Sequence, residues 1–277
     1  MSTNRPAIRT VRQAVVLAGG LGTRMFPRTE RVPKFLLPVR GTPFGALLLS
    51  RLAACGFDEA VLCIGHLGEQ VREAFGDGSA LGIRIVWSDE GEARLGTAGA
   101  IRLALPRLAA TFLVTYGDSY LPFDYAAPLA DLEAHAEALG TMAVFRNADR
   151  HDASNTVVSG DRVVRYGKRA AHEPRDPEMD HIDYGATALR REVVERLPGT
   201  TPIDLSIVQR DLASAGQLRA LHATERFFEI GSERGLRDLE AHLAEKAANE
   251  GSFGPRDAAV ETPNEGASPA RDAEEGS

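Results

Sequence analysis

The sequence predicts an α/β protein: a three-layer α/β/α sandwich on a mainly parallel sheet. Three observations carry this. Apolar runs at residues 14–18, 58–64 and 111–115 read as buried strands, with another strand at 83–87. Helically spaced segments alternate with them, giving three strand–helix units before residue 90, and such units stack their helices on both faces through right-handed crossovers. A glycine-rich turn, Gly19-Gly20-Leu21-Gly22, follows the first strand directly, at the carboxyl edge where doubly wound sheets bind ligands. An eight-unit barrel is excluded because the pattern changes after residue 140.

The elements follow in order. Strand 14–18 runs into the glycine turn. Residues 43–55 form a helix, with Thr42 as N-cap, Pro43 at the first helical position and Gly56 after its end. Strand 58–64 precedes a helix at 67–75 that stops at Gly76. Strand 83–87 leads to a turn containing Leu95-Gly96-Thr97-Ala98-Gly99, which opens a helix running to Leu105. Strand 111–115 ends in Tyr116-Gly117-Asp118-Ser119. A helix at 129–139 and a strand at 141–145 follow. Two β-like pieces at 156–159 and 162–166, separated by Gly160-Asp161, signal a hairpin. Residues 203–215 read as a helix stopped by Gly216. Residues 218–222 and 225–230 are strand-like, and a closing helix spans 232–247.

The domain assigned to this fold is 1–248. Residues 249–277 carry seven acidic and two basic residues, with many Gly, Pro, Ser and Ala, and are expected to be a disordered acidic tail. The net charge of −7 argues against nucleic-acid binding. The start of the chain lacks a signal-peptide pattern and no window has the apolar length of a membrane span. Cys55 and Cys63 read as free thiols. A soluble cytoplasmic protein is expected.

The chemistry suggested by residues 14–39 is phosphate handling. A glycine turn after a buried strand presents N–H groups to an anion without Cβ interference. Arg24 and Lys34 add two cations, enough with those amides to neutralise a triphosphate. The run is not a P-loop, because no Lys follows its last glycine. It is a weak dinucleotide fingerprint, because Met25 stands at the third glycine position. An oxidoreductase would also need an acidic end to strand 58–64, which instead reads Ile64-Gly65-His66. Asp118, at the carboxyl end of a central strand, sits over the same edge and is the obvious first ligand for Mg²⁺. The small residues around Gly96 let a flat ring approach the backbone.

Gly19-Gly20-Leu21-Gly22-Thr23-Arg24, with Pro33-Lys34 ten residues on, resembles the signature of the sugar-1-phosphate nucleotidyltransferases. The resemblance implies the nucleotide-diphospho-sugar transferase type of Rossmann-like fold, and transfer of a nucleoside monophosphate from a nucleoside triphosphate to a sugar 1-phosphate with Mg²⁺. It implies Arg24, Lys34 and Asp118 as catalytic residues. It places Ala18, Gly19, Gly20, Gly22, Thr23, Gly96 and Thr97 on the nucleotide. Leu95-Gly96-Thr97-Ala98-Gly99 looks most like members handling GTP with mannose- or heptose-type 1-phosphates. Lys168 aligns with the lysine of a Glu-Lys pair on the sugar phosphate, Gly167 replacing the Glu. Asp183, Tyr184 and Gly185 stand in a degraded form of the strand lining the sugar pocket. Glu229 takes the place of the Asp that is the second metal ligand. Family members are often homo-oligomers. The alternatives are a dTTP- or UTP-dependent glucose-1-phosphate enzyme, CTP with an alcohol phosphate, or a non-catalytic sugar-nucleotide sensor.

Overall fold

The computed structural model describes residues 11–168, 174, 176–199 and 202–249. The expected acidic tail lies outside these apart from Asn249. In chain order the elements are β1 (Gln13–Leu17), a small ribbon of β2 (Pro38–Val39) and β3 (Thr42–Pro43), α1 (Phe44–Ala54), β4 (Glu59–Ile64), α2 (Gly68–Phe75), β5 (Arg84–Asp89), α3 (Gly96–Leu103), β6 (Thr111–Tyr116), β7 (Ser119–Tyr120), α4 (Ala127–Ala134), β8 (Gly140–Arg146), β9 (Thr156–Ser159), β10 (Arg162–Tyr166), β11 (His181–Arg190), α5 (Arg191–Glu195), α6 (Leu205–Ser214), β12 (Leu218–Ala223), β13 (Phe228–Glu229) and α7 (Glu233–Asn249).

Nine strands form one sheet in the order β5-β4-β1-β6-β11-β8-β12-β10-β9. It is parallel from β5 through β6. β11 then runs antiparallel to both β6 and β8, so the sheet is more mixed than the alternating pattern implies. The insertion of β11 between β6 and β8 is long-range pairing that local periodicity does not encode. Side chains alternate across the sheet. Ala14 and Val16 of β1 join a core with α1, α2, α4 and α7, while Val15 joins a second core with α3, α5 and α6. The three layers expected from the sequence are present.

Several boundaries differ for identifiable reasons. The helix expected at 129–139 stops at Ala134, because the Arg190 guanidinium donates to the carbonyls of Ala138, Leu132 and His135 at 2.8, 3.0 and 3.2 Å and fixes a turn there. The strand expected at 225–230 is only Phe228–Glu229, paired with β7 rather than with the main sheet. Helix α1 begins at Phe44, because Thr42 and Pro43 are taken by the β2–β3 ribbon. Helix α5 is too short for a periodicity signal. Cys63 is buried and Cys55 partly buried, both as free thiols. Among the described residues no helix is long and apolar enough to cross a membrane.

Candidate active site

The chain runs from β1 outward to β4 and β5, then returns to the other side of β1 as β6. The crevice at the carboxyl ends of β1 and β6 is therefore a topological switch point, the place where open α/β sheets bind ligands. Two backbone bonds close it: Ala18 N–H donates to the Cys63 carbonyl at 2.8 Å, and Gly117 N–H to Leu17 at 2.9 Å. Gly117 is required by crowding, since a Cβ there would lie 2.9 Å from the Leu17 oxygen. The crevice opens into a cavity of about 350 Å³ lined by Ala18, Gly19, Gly20, Lys34, Asp118, Gly96 and Thr97, all expected from the sequence, and by Glu90, Arg94 and Tyr116, which were not.

Lys34 and Asp118 meet here, Nζ to Oδ2, at 2.6 Å, with 16% and 28% of their side chains exposed. Sequence separation is 84 residues, so packing brings them together. Lys34 opens a single 3-10 turn whose next residue, Phe35, is 1% exposed and packs edge-on against Phe75. Anchoring Phe35 in the core holds Lys34 at the rim. Asp118 is fixed on its other side by the β7–β13 ribbon, where Ile230 N–H donates to its carbonyl at 2.9 Å.

Glu90 follows β5. One oxygen accepts the Leu95 N–H at 3.1 Å, and the other sits 3.0 Å from where a Cβ on Gly19 would lie. Burial raises its pKa, with a smaller contribution from Asp89 and an opposing one from the Leu95 N–H. Its sequence signal is only an acidic residue just past a strand's carboxyl end. Cys63, below it, is pushed up to about 12 by burial and then by Glu90, so it stays a neutral thiol.

The small residues at the start of α3 serve the protein itself. Gly96, at φ +72°, would place a Cβ 2.5 Å from the Ile203 carbonyl oxygen. That oxygen accepts the N–H groups of Ala98 and Gly99 at 2.9 and 3.2 Å, and Thr97 Oγ1 accepts the Leu205 N–H at 2.6 Å. The close approach anticipated for a base is therefore made by the 203–205 segment, which caps α3. Gly96 and Thr97 still line the cavity.

Gly22, Thr23 and Arg24 lie outside that lining. Gly22 takes φ +65° and its carbonyl accepts the Thr29 hydroxyl at 2.8 Å, which tightens the loop. Arg24 reaches α7, where its Nη2 would be 2.6 Å from a Cβ on Gly231. The expected sugar-side residues are engaged elsewhere. Lys168 Nζ donates to both oxygens of Asp204, at 2.9 and 3.2 Å. Asp183 accepts from Gly185 N–H at 2.9 Å, Gln209 Nε2 at 3.0 Å and Tyr166 at 3.4 Å; burial raises its pKa against these donors. Tyr184 is corrected outright: strand alternation turns it to the opposite face, 1% exposed, against Phe123, Phe145 and Phe227. Gly185 takes φ +96° where the β11–β8 register shifts. Glu229 Oε1 accepts the Ser232 hydroxyl at 2.6 Å and Oε2 the Gly231 N–H at 2.5 Å. Among the described residues no group of three or more His, Cys, Asp or Glu could hold a metal ion.

Residues 13–168 match the nucleotidyl transferase family profile. The chain is 35% identical over 186 residues to mannose-1-phosphate guanylyltransferase of Mycobacterium tuberculosis, covering 67% of this chain and 50% of that one. It is 45% identical over 116 residues to N-acetylmuramate alpha-1-phosphate uridylyltransferase of Neisseria meningitidis, covering 42% and 50%. The chain thus spans about half the length of these curated relatives. The crystal structure of HddC from Yersinia pseudotuberculosis superposes with a TM-score of 0.69 at 21% identity, covering 84% and 99%, and supports the fold.

Proposed function

The chain belongs to the nucleotidyl transferase family, and on that premise we propose that it transfers a nucleoside monophosphate from a nucleoside triphosphate to a sugar 1-phosphate. The observation that carries this is the Lys34–Asp118 pair facing the Gly19-Gly20 turn across one cavity at the β1/β6 switch point. A sugar-phosphate oxygen attacks the α-phosphorus, and the bond to the β-phosphate oxygen breaks with its electron pair leaving on pyrophosphate. The nucleophile is already an anion near neutral pH, because a phosphate monoester has a second pKa of about 6. The task left to the protein is holding two anions together, by position and positive charge.

In this reading the amides of the Gly19–Gly22 turn cradle the triphosphate, with Ala18 and Thr23 at its ends. Lys34 carries charge to the α-phosphate and Arg24 to the departing pyrophosphate. The donor set fits Mg²⁺, which uses one or two carboxylates plus phosphates and waters rather than a protein cage. Asp118, partly exposed at the cavity and paired with a displaceable ammonium, would hold it. The ion would neutralise charge on the phosphates. Glu229 is the second carboxylate on that edge, but both its oxygens are engaged at α7. Lys168 would steer the sugar phosphate by exchanging Asp204 for it. Gly185 leaves the strand face near Tyr116 and Ser119 open for the sugar.

For the base we favour guanine. Glu90 is an acceptor in the cavity wall, and the guanine edge offers N1–H and N2–H donors together. The matched guanylyltransferase supports this, whereas the matched uridylyltransferase supports UTP as the second reading. A cytoplasmic setting fits both. Pyrophosphate release with Mg²⁺ should appear for GTP with a mannose- or manno-heptose-type 1-phosphate. Release only with UTP would move the assignment to the second reading. A folded protein that binds nucleotide yet releases nothing across GTP, UTP, dTTP, CTP and ATP would favour the sensor.

A further inference from the structure

The start of α7 is built around the Glu229 side chain. Its carboxylate accepts from Gly231 N–H and Ser232 Oγ–H, and Ser232 Oγ accepts the Gly235 N–H at 3.0 Å. Gly231 and Gly235 are not among the residues with positive φ, so backbone conformation does not explain them. Space does. A Cβ on Gly235 would collide with the Glu229 carbonyl and carboxylate oxygens. A Cβ on Gly231 would lie 2.5 Å from Glu229 Oε2 and 2.6 Å from Arg24 Nη2. The carboxylate and the guanidinium therefore both crowd the place a Cβ on Gly231 would take, so they lie near each other without a direct hydrogen bond. A salt bridge runs alongside: Arg28 Nε meets Glu233 Oε1 at 3.1 Å. Arg24 and Arg28 are four residues apart in the phosphate loop, and Glu229 and Glu233 four apart at the start of α7.

We propose that Glu229 is a positioning residue. Its carboxylate, locked on Gly231 and Ser232 just before α7, positions the Arg24 guanidinium for pyrophosphate and takes no place in the metal's coordination shell. The inference rests on the reading of Arg24 given above. Leaving α7 would cost Glu229 two short hydrogen bonds and a favourable place at a helix N-terminus. The extra methylene relative to aspartate is what lets its carboxylate fold back that far. Arg24 is exposed, so the attraction between the two charges is modest, and what sets the guanidinium beside the carboxylate is the room that Gly231 leaves between them.

The test uses the full chain and two probes, inorganic pyrophosphate by calorimetry and Mn²⁺ by electron paramagnetic resonance with a non-hydrolysable nucleoside triphosphate present. Glu229→Gln should weaken pyrophosphate binding about tenfold, or ~1.4 kcal/mol, while Mn²⁺ half-saturation stays within about twofold. Gly231→Ala, which keeps Glu229 but wedges the pair apart, should do the same. Glu229→Asp, too short to reach Ser232, should behave like Glu229→Gln. In an Arg24→Ala background, Glu229→Gln should add nothing. A tenfold loss of Mn²⁺ affinity in Glu229→Gln, repaired by Glu229→Asp, with pyrophosphate binding unchanged, would overturn the proposal and make Glu229 a ligand. Unchanged pyrophosphate binding in Arg24→Ala alone would instead remove the reading of Arg24 on which it rests.

Discussion

The two ends of the cleft are built from polar residues in opposite states. On the β1/β6 side, Lys34, Asp118 and Glu90 line an open cavity and keep acceptor or donor capacity free. On the β9–β11 side, Asp183 is saturated by Gly185, Gln209 and Tyr166, Tyr184 faces the hydrophobic core, and only Lys168, in an exposed pair with Asp204, stays exchangeable. A side chain whose bonds are filled by its own fold contributes rigidity. One that lines a cavity with capacity left over contributes to a ligand. Under the proposed function, the β1/β6 end would carry the chemistry, and the β9–β11 end would act largely as a frame.

Substitutions can break or sharpen this contrast. The largest effect is expected at the open pair. Asp118→Ala and Lys34→Ala should each lower turnover by about 10²-fold or more while the melting temperature moves little, measured by pyrophosphate release beside a thermal melt. A folded Asp118→Ala protein with ordinary turnover would remove the pair from the chemistry.

Next comes Glu90. Glu90→Gln should cut the preference for GTP over UTP by roughly tenfold to a hundredfold, as one good bidentate contact is worth about 1–3 kcal/mol of discrimination. In the guanine reading the ionised carboxylate would be the acceptor, and burial raises its pKa. GTP binding should then be complete above that pKa and fall as pH drops through it, above the ordinary glutamate range. A flat GTP titration through the mildly acidic region, with the protein folded, would exclude Glu90 as the acceptor.

At the framed end the expected effects are on stability. Asp183→Ala strands three donors, and should cost about 1–3 kcal/mol in a denaturant titration. Its KM for the sugar phosphate should change little. A large KM rise with unchanged stability would return Asp183 to the substrate. The smallest effect is expected at Tyr184, whose hydroxyl is buried without a partner. Tyr184→Phe should be neutral or slightly stabilising, within about 0.5 kcal/mol.

The contrast also tracks what could be read from residues alone. That Gly19, Gly20 and Lys34 share one cavity was legible because they lie within one local stretch, and that Asp118 joins them because strand ends are predictable, whereas the outward turn of Gly22 to Arg24 was not. Glu90 was not, because nothing local says that its carboxylate returns to the Gly19 turn. The small residues of α3 were legible as a close approach, but not as an approach by Ile203, more than a hundred residues away. Tyr184 illustrates the reverse error: a motif resemblance placed it in a pocket, while the pleat, with a period of two, put it in the core.

The sequence by itself determined the layers, the order of most strands and helices along the chain, and the cluster of glycine, arginine and lysine after β1. These depend on hydrophobic period and turn chemistry, which act over a few residues. Tertiary structure decided the antiparallel placement of β11, the meeting of Lys34 with Asp118, and the folding of Glu229 onto α7 beside Arg24. Those depend on which distant groups compete for the same hydrogen bonds and the same space, and that competition exists only once the sheet has closed.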